Sequence, residues 1–120
     1  MEKKIFYADD EESLREMYEQ IHRTYFKDYT LELFEDGKKL EESFLENEDD
    51  LALIVTDNNM PKMTGLEFIR KHYSKIPIIL CSANLDTSKI QEIESYGVDY
   101  VEKPFGLNIF IESIRKNLKF

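Results

Sequence analysis

Five polar side chains suited to metal and phosphate chemistry stand at the ends of apolar segments of this chain. They are Asp9, Asp10, Asp57, Ser82 and Lys103. Three carboxylates without a neighbouring histidine or cysteine favour a hard divalent cation such as Mg²⁺. The lysine supplies a compact positive charge and the serine a hydroxyl donor, and both groups suit a dianionic phosphoryl group. The set predicts a site for phosphoryl chemistry, provided that the fold brings the five residues together.

Asp57 is the candidate for the reacting group. It closes an unbroken apolar run, which covers residues 51–55 and is followed by Thr56. A carboxylate can act as a nucleophile and form an aspartyl phosphate. A single aspartate at a strand end is more often a turn or helix cap, so this assignment depends on the other four residues. Carboxylates crowded together repel each other by roughly a few kcal/mol per pair, and such a site needs raised pKa values or a bound cation.

Strand-like and helix-like segments alternate five times along the sequence. Short apolar or alternating runs predict strands over residues 4–8, 30–35, 51–56, 76–81 and 98–101. Apolar residues at helical spacing predict helices over residues 12–26, around 40–44, from 64 to 73, from 88 to 96, and over 107–118. Two of these helices are expected to begin with capping boxes, Thr64 with Glu67 and Ser88 with Gln91. The alternation is typical of an α/β protein with a parallel sheet.

The apolar character of each strand predicts its position in the sheet. The first, third and fourth strands are apolar throughout and belong in the centre, whereas the second and fifth are alternating or mixed and belong at the edges. This pattern fits the flavodoxin-like (βα)5 fold, a three-layer sandwich with a five-stranded parallel sheet of order 2-1-3-4-5. The first and third strands are neighbours in that order, so we expect Asp9 and Asp10 to lie beside Asp57. We expect residues 1–120 to form a single domain.

Composition excludes several classes of function. The chain has 120 residues, of which 42% are hydrophobic and 34% charged, as in ordinary globular proteins. A net charge of −9 argues against nucleic-acid binding, because nucleic-acid phosphates require a basic face. No segment is predicted to span a membrane or to act as a signal peptide. Cys81 is the single cysteine, which excludes an internal disulfide and fits a cytoplasmic location.

Two histidines and two apolar residues remain outside these patterns. We interpret His22 and His72 as ordinary surface or boundary residues of helices rather than as phosphotransfer histidines. Ile109 and Phe110 lie beside the apolar stripe of the last helix, and they are apolar residues in addition to those that the stripe needs to pack on the core. They are our candidates for a docking patch on a surface formed by the fourth helix, the fifth strand and the fifth helix.

The motifs around the five polar residues resemble those of a known family. They are Asp9-Asp10, Asp57 followed by Met60-Pro61 and Gly65, Ser82-Ala83, and Lys103-Pro104-Phe105. As a set they resemble the response-regulator receiver domain of two-component systems, in particular single-domain receivers of the chemotaxis and sporulation type. The resemblance covers the chain from about Lys4 to Leu118.

The resemblance implies a role for each matching residue. Asp57 would accept a phosphoryl group from a phosphohistidine of a sensor histidine kinase or a histidine phosphotransfer protein. Mg²⁺, with Mn²⁺ as a substitute, would be bound by Asp10, Asp57 and the backbone carbonyl of Asn59, and by Asp9 through water. The other implied roles are phosphoryl contacts for Ser82 and Lys103, a switch aromatic at Tyr100, tuning of the reaction rate by Asn59 and Asn84, and a cis peptide at Lys103-Pro104.

The same resemblance implies a signalling module that catalyses its own phosphorylation and dephosphorylation and is not a turnover enzyme. We expect it to bind an unknown downstream protein, to bind neither nucleic acid nor membrane, and to be a monomer, with dimerisation on phosphorylation left open. A diffusible single-domain regulator is preferred, and the amino-terminal module of a larger regulator is the alternative. A Mg²⁺-dependent phosphohydrolase of the haloacid-dehalogenase type is disfavoured, because Asn59 stands where that family has a second aspartate.

Overall fold

The computed structural model describes residues 3–118 and forms an α/β sandwich. Its strands are β1 (Lys4–Ala8), β2 (Thr30–Phe34), β3 (Leu51–Asp57), β4 (Ile78–Ser82) and β5 (Asp99–Glu102). Its helices are α1 (Glu12–Tyr25), α2 (Gly37–Asn47), α3 (Gly65–His72), α4 (Thr87–Ser95) and α5 (Leu107–Leu118), with a short 3-10 turn at Glu48–Asp50. The strands are parallel and lie in the order β2-β1-β3-β4-β5. The predicted fold class and strand order are confirmed.

The central strand β3 explains why the protein has three layers. Every residue of β3 is buried, and successive side chains point to opposite faces of the sheet. Ile54 belongs to the apolar layer that contains Phe44 of α2 and Phe68 of α3. Val55 belongs to the other layer, together with Phe110 of α5. A continuous apolar run is therefore required here, because both faces of the strand are covered by helices.

Helix α4 begins differently from our prediction. Its N-cap is Asp86, whose carboxylate accepts a hydrogen bond of 2.8 Å from the backbone N–H of Lys89. The predicted capping box of Ser88 with Gln91 was wrong, since Ser88 already lies inside the helix. At α3, by contrast, the reciprocal capping box of Thr64 with Glu67 is present as predicted.

Phe110 and the two histidines are more deeply buried than we expected from the sequence. Phe110 is fully buried and only Ile109, at 65% exposure, remains on the surface, so the proposed docking patch loses one of its two members. His22 is also buried, and its Nδ1 accepts a hydrogen bond from the Tyr7 hydroxyl at 2.9 Å while its Nε2 donates to the Tyr29 carbonyl at 2.7 Å. His72 is buried as well, so neither histidine is an ordinary surface residue.

Within the described residues 3–118, no helix is long and apolar enough to cross a membrane.

Candidate functional site

Three carboxylates meet at the carboxyl edge of the sheet. Asp57 is the last residue of β3, and Asp9 and Asp10 follow directly after β1. One side-chain oxygen from each of the three lies within 4.8 Å of the others. The juxtaposition arises because β1 and β3 are parallel neighbours in register, with Ala8 opposite Thr56.

Asp9 is the most constrained member of this cluster. It is completely buried, and its Oδ1 accepts a hydrogen bond of 3.0 Å from the backbone N–H of Glu11. Its Oδ2 accepts two more, from the Tyr18 hydroxyl at 3.1 Å and from the Lys103 Nζ at 2.8 Å. Asp10, by contrast, is exposed to solvent. The two adjacent aspartates therefore differ in how freely they can bind a metal ion. The oxygens of Asp9 already accept hydrogen bonds from protein donors, whereas the carboxylate of Asp10 is accessible from solvent.

Asp57 is buried next to a negative charge, and its pKa responds to both conditions. The residue is 6% exposed, and burial is the largest cause that raises its pKa from 3.8 to about 6. The negative charge of Asp9 raises it further, while Lys103 and a hydrogen bond from the backbone of Asn58 act in the opposite direction. This is the environment expected of crowded carboxylates that a cation would relieve.

Lys103 connects the two buried carboxylates. Its Nζ lies 2.8 Å from Asp9 Oδ2 and 3.3 Å from Asp57 Oδ1, and its side chain is 14% exposed. Burial by itself lowers the pKa of this ammonium, but the contacts with Asp9 and Asp57 outweigh burial and raise the pKa. The lysine therefore stays protonated and supplies a positive charge at the site. The peptide bond between Lys103 and Pro104 is cis, as the resemblance implied.

The loop after Asp57 is held by backbone contacts that leave no room for a side chain at Gly65. The Asn58 carbonyl accepts hydrogen bonds from the N–H groups of Met60 and Gly65, each at 3.0 Å. The Asn58 side chain accepts another from the N–H of Leu66 at 2.9 Å. A Cβ atom at Gly65 would lie 2.2 Å from the Asp57 carbonyl oxygen, so glycine is needed for α3 to begin against the end of β3. Asn59 is exposed at the tip of this loop.

The ends of β4 and β5 complete the site. Ser82 is the last residue of β4 and is fully buried, and its Oγ accepts a weak hydrogen bond of 3.4 Å from the backbone N–H of Asn84. The Lys103 N–H donates to the Ser82 carbonyl at 2.9 Å, which ties the two segments together. Asn84 is exposed, and Tyr100 is half-buried on β5, where it packs against the apolar layer of α2 and α3.

Sequence reasoning missed two residues of the site, Tyr18 and Asn58. Tyr18 is one of the apolar residues at helical spacing that predict α1, and that spacing says nothing of its hydroxyl, although a buried tyrosine hydroxyl normally has a hydrogen-bond partner. That rule signals a partner but cannot identify Asp9 from the sequence. Asn58 directly follows Asp57, and its position at the start of a loop was a signal for backbone contacts of the kind observed.

The donor set fits a hard divalent cation. The clustered groups are all carboxylates, and backbone carbonyls such as that of Asn59 lie in the same loop. Oxygen ligands of this kind are those that Mg²⁺ prefers, commonly one or two carboxylates completed by water and phosphate. The pKa of Asp57 is raised by burial first and by the negative charge of Asp9 second, and a bound cation would offset both effects.

Comparison with known proteins agrees with this geometry. The family model of the response regulator receiver domain matches residues 5–115. The response regulator RR06 of Streptococcus pneumoniae is 32% identical over 114 residues, which is 92% of this chain and 51% of that protein. ArlR of Staphylococcus saprophyticus is 31% identical over 119 residues, covering 97% of this chain and 52% of that protein. FlgR of Helicobacter pylori is matched over 20% of its length, so the chain spans between a fifth and about half of these curated relatives.

Solved structures give the same result. The chemotaxis protein CheY4 of Vibrio cholerae superimposes with a TM-score of 0.81 at 25% identity. The superposition covers 98% of this chain and 100% of CheY4. A receiver domain from Clostridium thermocellum superimposes with a TM-score of 0.86 at 18% identity, covering 97% and 94% of the two chains, which supports the fold alone. The protein belongs to the response regulator receiver domain family of two-component systems, whose members are signalling modules that in general bind Mg²⁺ and carry phosphoaspartate.

Proposed function

We propose that Asp57 accepts a phosphoryl group from the phosphohistidine of a sensor histidine kinase or a histidine phosphotransfer protein. The observation that carries this proposal is the buried Asp57 carboxylate, held 3.3 Å from the Lys103 ammonium beside two further carboxylates. A carboxylate oxygen of Asp57 attacks phosphorus, the P–N bond to the donor imidazole breaks, and the imidazole leaves with the electron pair of that bond. The protein serves as both catalyst and acceptor in this step, so it is phosphorylated once rather than turning over.

Mg²⁺ would be held by the side chains of Asp10 and Asp57 and by the backbone carbonyl of Asn59, with Mn²⁺ as a substitute. When bound, the cation neutralises charge on the phosphoryl oxygens. Asp9 is assigned a contact through water, because three protein donors already occupy most of its acceptor capacity. Asp10 is assigned direct ligation because its carboxylate is exposed.

Two residues are proposed to contact the phosphoryl oxygens, and two others to influence the rate at which the phosphoryl group is lost. Lys103 provides a positive charge and Ser82 a hydroxyl donor to the oxygens of the group on Asp57. Asn59 and Asn84 are assigned to the positions that flank the phosphoryl group, and both side chains are neutral. Neither can act as a general base toward attacking water, so self-dephosphorylation is not expected to be fast.

Phosphorylation is proposed to change the surface formed by α4, β5 and α5, which would bind the downstream partner. Ser82 moves toward the phosphoryl group, and Tyr100 fills the space that this movement opens. The half-buried position of Tyr100 and the 65% exposure of Ile109 support this assignment. Binding of a partner, or dimerisation of a monomer, would complete the shift, since one charge-assisted hydrogen bond supplies only about 1.5–3 kcal/mol.

The receiver domain could act alone or as one module of a larger regulator, and its chemistry is the same in both cases. We propose that residues 1–120 form one receiver domain that acts in the cytoplasm on a protein partner and not on nucleic acid. Matched relatives such as RR06 are about twice as long as the aligned region, which is the observation favouring the alternative of a receiver module in a larger regulator. The roles assigned to Asp57 and Lys103 are the same in both settings.

Beryllofluoride binding tests the proposal, since this group mimics a phosphoryl group on aspartate. Amide NMR spectra of the wild type should change around Asp57, Ser82 and Lys103 when beryllofluoride is added with Mg²⁺. No change is expected in chelator or in Asp57→Asn. Binding that persists without a divalent cation, or in Asp57→Asn, would show that the site or the acceptor has been misassigned.

A further inference from the structure

Oxygen Oδ2 of Asp9 has two donors of very different mobility. The Tyr18 hydroxyl and the Lys103 Nζ contact it at 3.1 Å and 2.8 Å. The carboxylate is completely buried in the unliganded protein, so bulk solvent does not readily replace a donor that departs. A buried carboxylate that loses a donor suffers a large penalty, because the charged oxygen is left without a partner. The free energy of the charged Asp9 carboxylate therefore depends on whether both donors stay in place.

The Tyr18 donor is fixed by its aromatic neighbours. Its ring is fully buried and stacks between Tyr7, with ring centroids 5.6 Å apart, and Phe110, with centroids 5.5 Å apart. Phe110 is itself stacked on Phe105 at 4.7 Å, just after the segment that carries Lys103. A ring packed on both faces has no alternative position for its hydroxyl within the site.

The Lys103 donor, by contrast, has two acceptors. Its ammonium also lies 3.3 Å from Asp57 Oδ1, at the end of a flexible four-carbon stem. Phosphorylation of Asp57 adds oxygens that attract the same ammonium more strongly than a single carboxylate does. Of its two contacts the one with Asp9 is now the shorter, at 2.8 Å against 3.3 Å, so a shift of the ammonium toward the phosphoryl oxygens weakens its hold on Asp9.

We propose that Tyr18 is a positioning residue of the phosphoryl site, whose hydroxyl holds the Asp9 carboxylate so that Lys103 can transfer to the phosphoryl group. The proposal rests on the function proposed for Asp57 and extends it to a residue outside the family motifs quoted above. Without the hydroxyl, the lysine is the one side-chain donor to Asp9 Oδ2 that remains among residues 3–118, and it is held there more firmly. The consequence is weaker binding of a phosphoryl group, with little change in the binding of Mg²⁺ through Asp10 and Asp57.

Tyr18→Phe tests this directly, because it retains the stacked ring and removes only the hydroxyl. Beryllofluoride is titrated at saturating Mg²⁺ and followed by amide NMR, and Mg²⁺ is titrated separately. We expect the affinity for beryllofluoride to fall about tenfold, the effect of one hydrogen bond to a charged group. The affinity for Mg²⁺ should change by less than about threefold. Unchanged beryllofluoride affinity, or an equal loss of affinity for both ligands, would overturn the proposal.

Tyr7→Phe is the matched control. It removes a buried hydroxyl from the neighbouring ring of the same stack, but that hydroxyl contacts His22 and not Asp9. Its beryllofluoride affinity should change by less than about twofold. Equal weakening in Tyr7→Phe and Tyr18→Phe would mean that any lost buried hydroxyl has this effect, and would overturn the proposal.

A double substitution and a measurement on the wild type complete the test. In an Asp9→Asn background, Tyr18→Phe should weaken beryllofluoride binding by less than about twofold, because no charge remains to hold Lys103. In the wild type, the hydroxyl proton of Tyr18 should shift when beryllofluoride binds, since its acceptor loses the lysine. A full effect in the Asp9→Asn background, or an unmoved hydroxyl resonance, would contradict the proposal. Failure of the wild type itself to bind beryllofluoride would instead refute the proposed function.

Discussion

Asp57→Asn is expected to make the unphosphorylated protein more stable at neutral pH. Burial and the neighbouring Asp9 raise the pKa of Asp57 from 3.8 to about 6 in the folded state. The native protein therefore holds this proton more tightly than the unfolded chain does. The resulting contribution to stability is fully present below the unfolded pKa and is lost as the pH rises through about 6. An asparagine does not ionise, so the variant escapes that loss.

The expected gain follows from the size of the shift. A difference of about two pKa units corresponds to at most about 3 kcal/mol near pH 7.5. Screening by solvent and the lost contact with Lys103 reduce this value, so we expect the free energy of unfolding to rise by about 1–2 kcal/mol. For a domain of this size that gain corresponds to about 4–8 °C in Tm.

The assay is urea unfolding followed by far-UV circular dichroism, in chelator, at several values between about pH 4.5 and pH 7.5. The gain of Asp57→Asn over the wild type should shrink as the pH falls through about 6, because the wild-type carboxyl then becomes protonated. Asp10→Asn removes the same charge from the exposed member of the cluster and should have a much smaller effect near pH 7.5. A variant that is less stable than the wild type near pH 7.5, or a gain independent of pH, would refute the reasoning.

Three further comparisons separate the roles of the site residues. Asp10→Asn should weaken Mg²⁺ binding by about tenfold and more than Asp9→Asn does, because a direct ligand contributes more than one acting through water; equal losses in calorimetric titrations would contradict this. Lys103→Ala should bind Mg²⁺ as well as or better than the wild type while losing affinity for beryllofluoride, and a loss of Mg²⁺ affinity would show that the site geometry is wrong. Ser82→Ala should still be phosphorylated but should not shift the amide resonances around Tyr100 with beryllofluoride; wild-type shifts there would exclude a link between the two residues.

The sheet could be predicted from the sequence because strand burial leaves a direct pattern. The unbroken apolar run that ends at Asp57 is possible only where helices cover both faces, and that requirement placed β3 in the centre. The placement in turn brought Asp9 and Asp10 to Asp57, as the structure has them. The start of α4 was harder, because Asp86 and Ser88 are both good N-cap residues and only the backbone of the preceding loop decides between them.

The environment of individual side chains was less predictable. Phe110 was considered surplus to its helix, yet it is fully buried because it stacks on Tyr18 of α1 and on Phe105. The contact between Tyr18 and Phe110 joins residues about 90 positions apart, and the pattern within one helix does not contain it. The hydrogen bond from Tyr18 to Asp9 has the same character, since helical spacing shows that a residue is buried but not which polar group it meets.

The most direct test of the central claim is intact-mass measurement after incubation with acetyl phosphate and Mg²⁺, followed by peptide mapping. The wild type should gain one phosphoryl group, located on Asp57, and should gain none in chelator. Asp57→Asn should remain unmodified under the same conditions, while circular dichroism shows that it is folded. Modification that persists unchanged in chelator, or that maps to His22, would contradict the assignment of Asp57 as a metal-dependent phosphoryl acceptor.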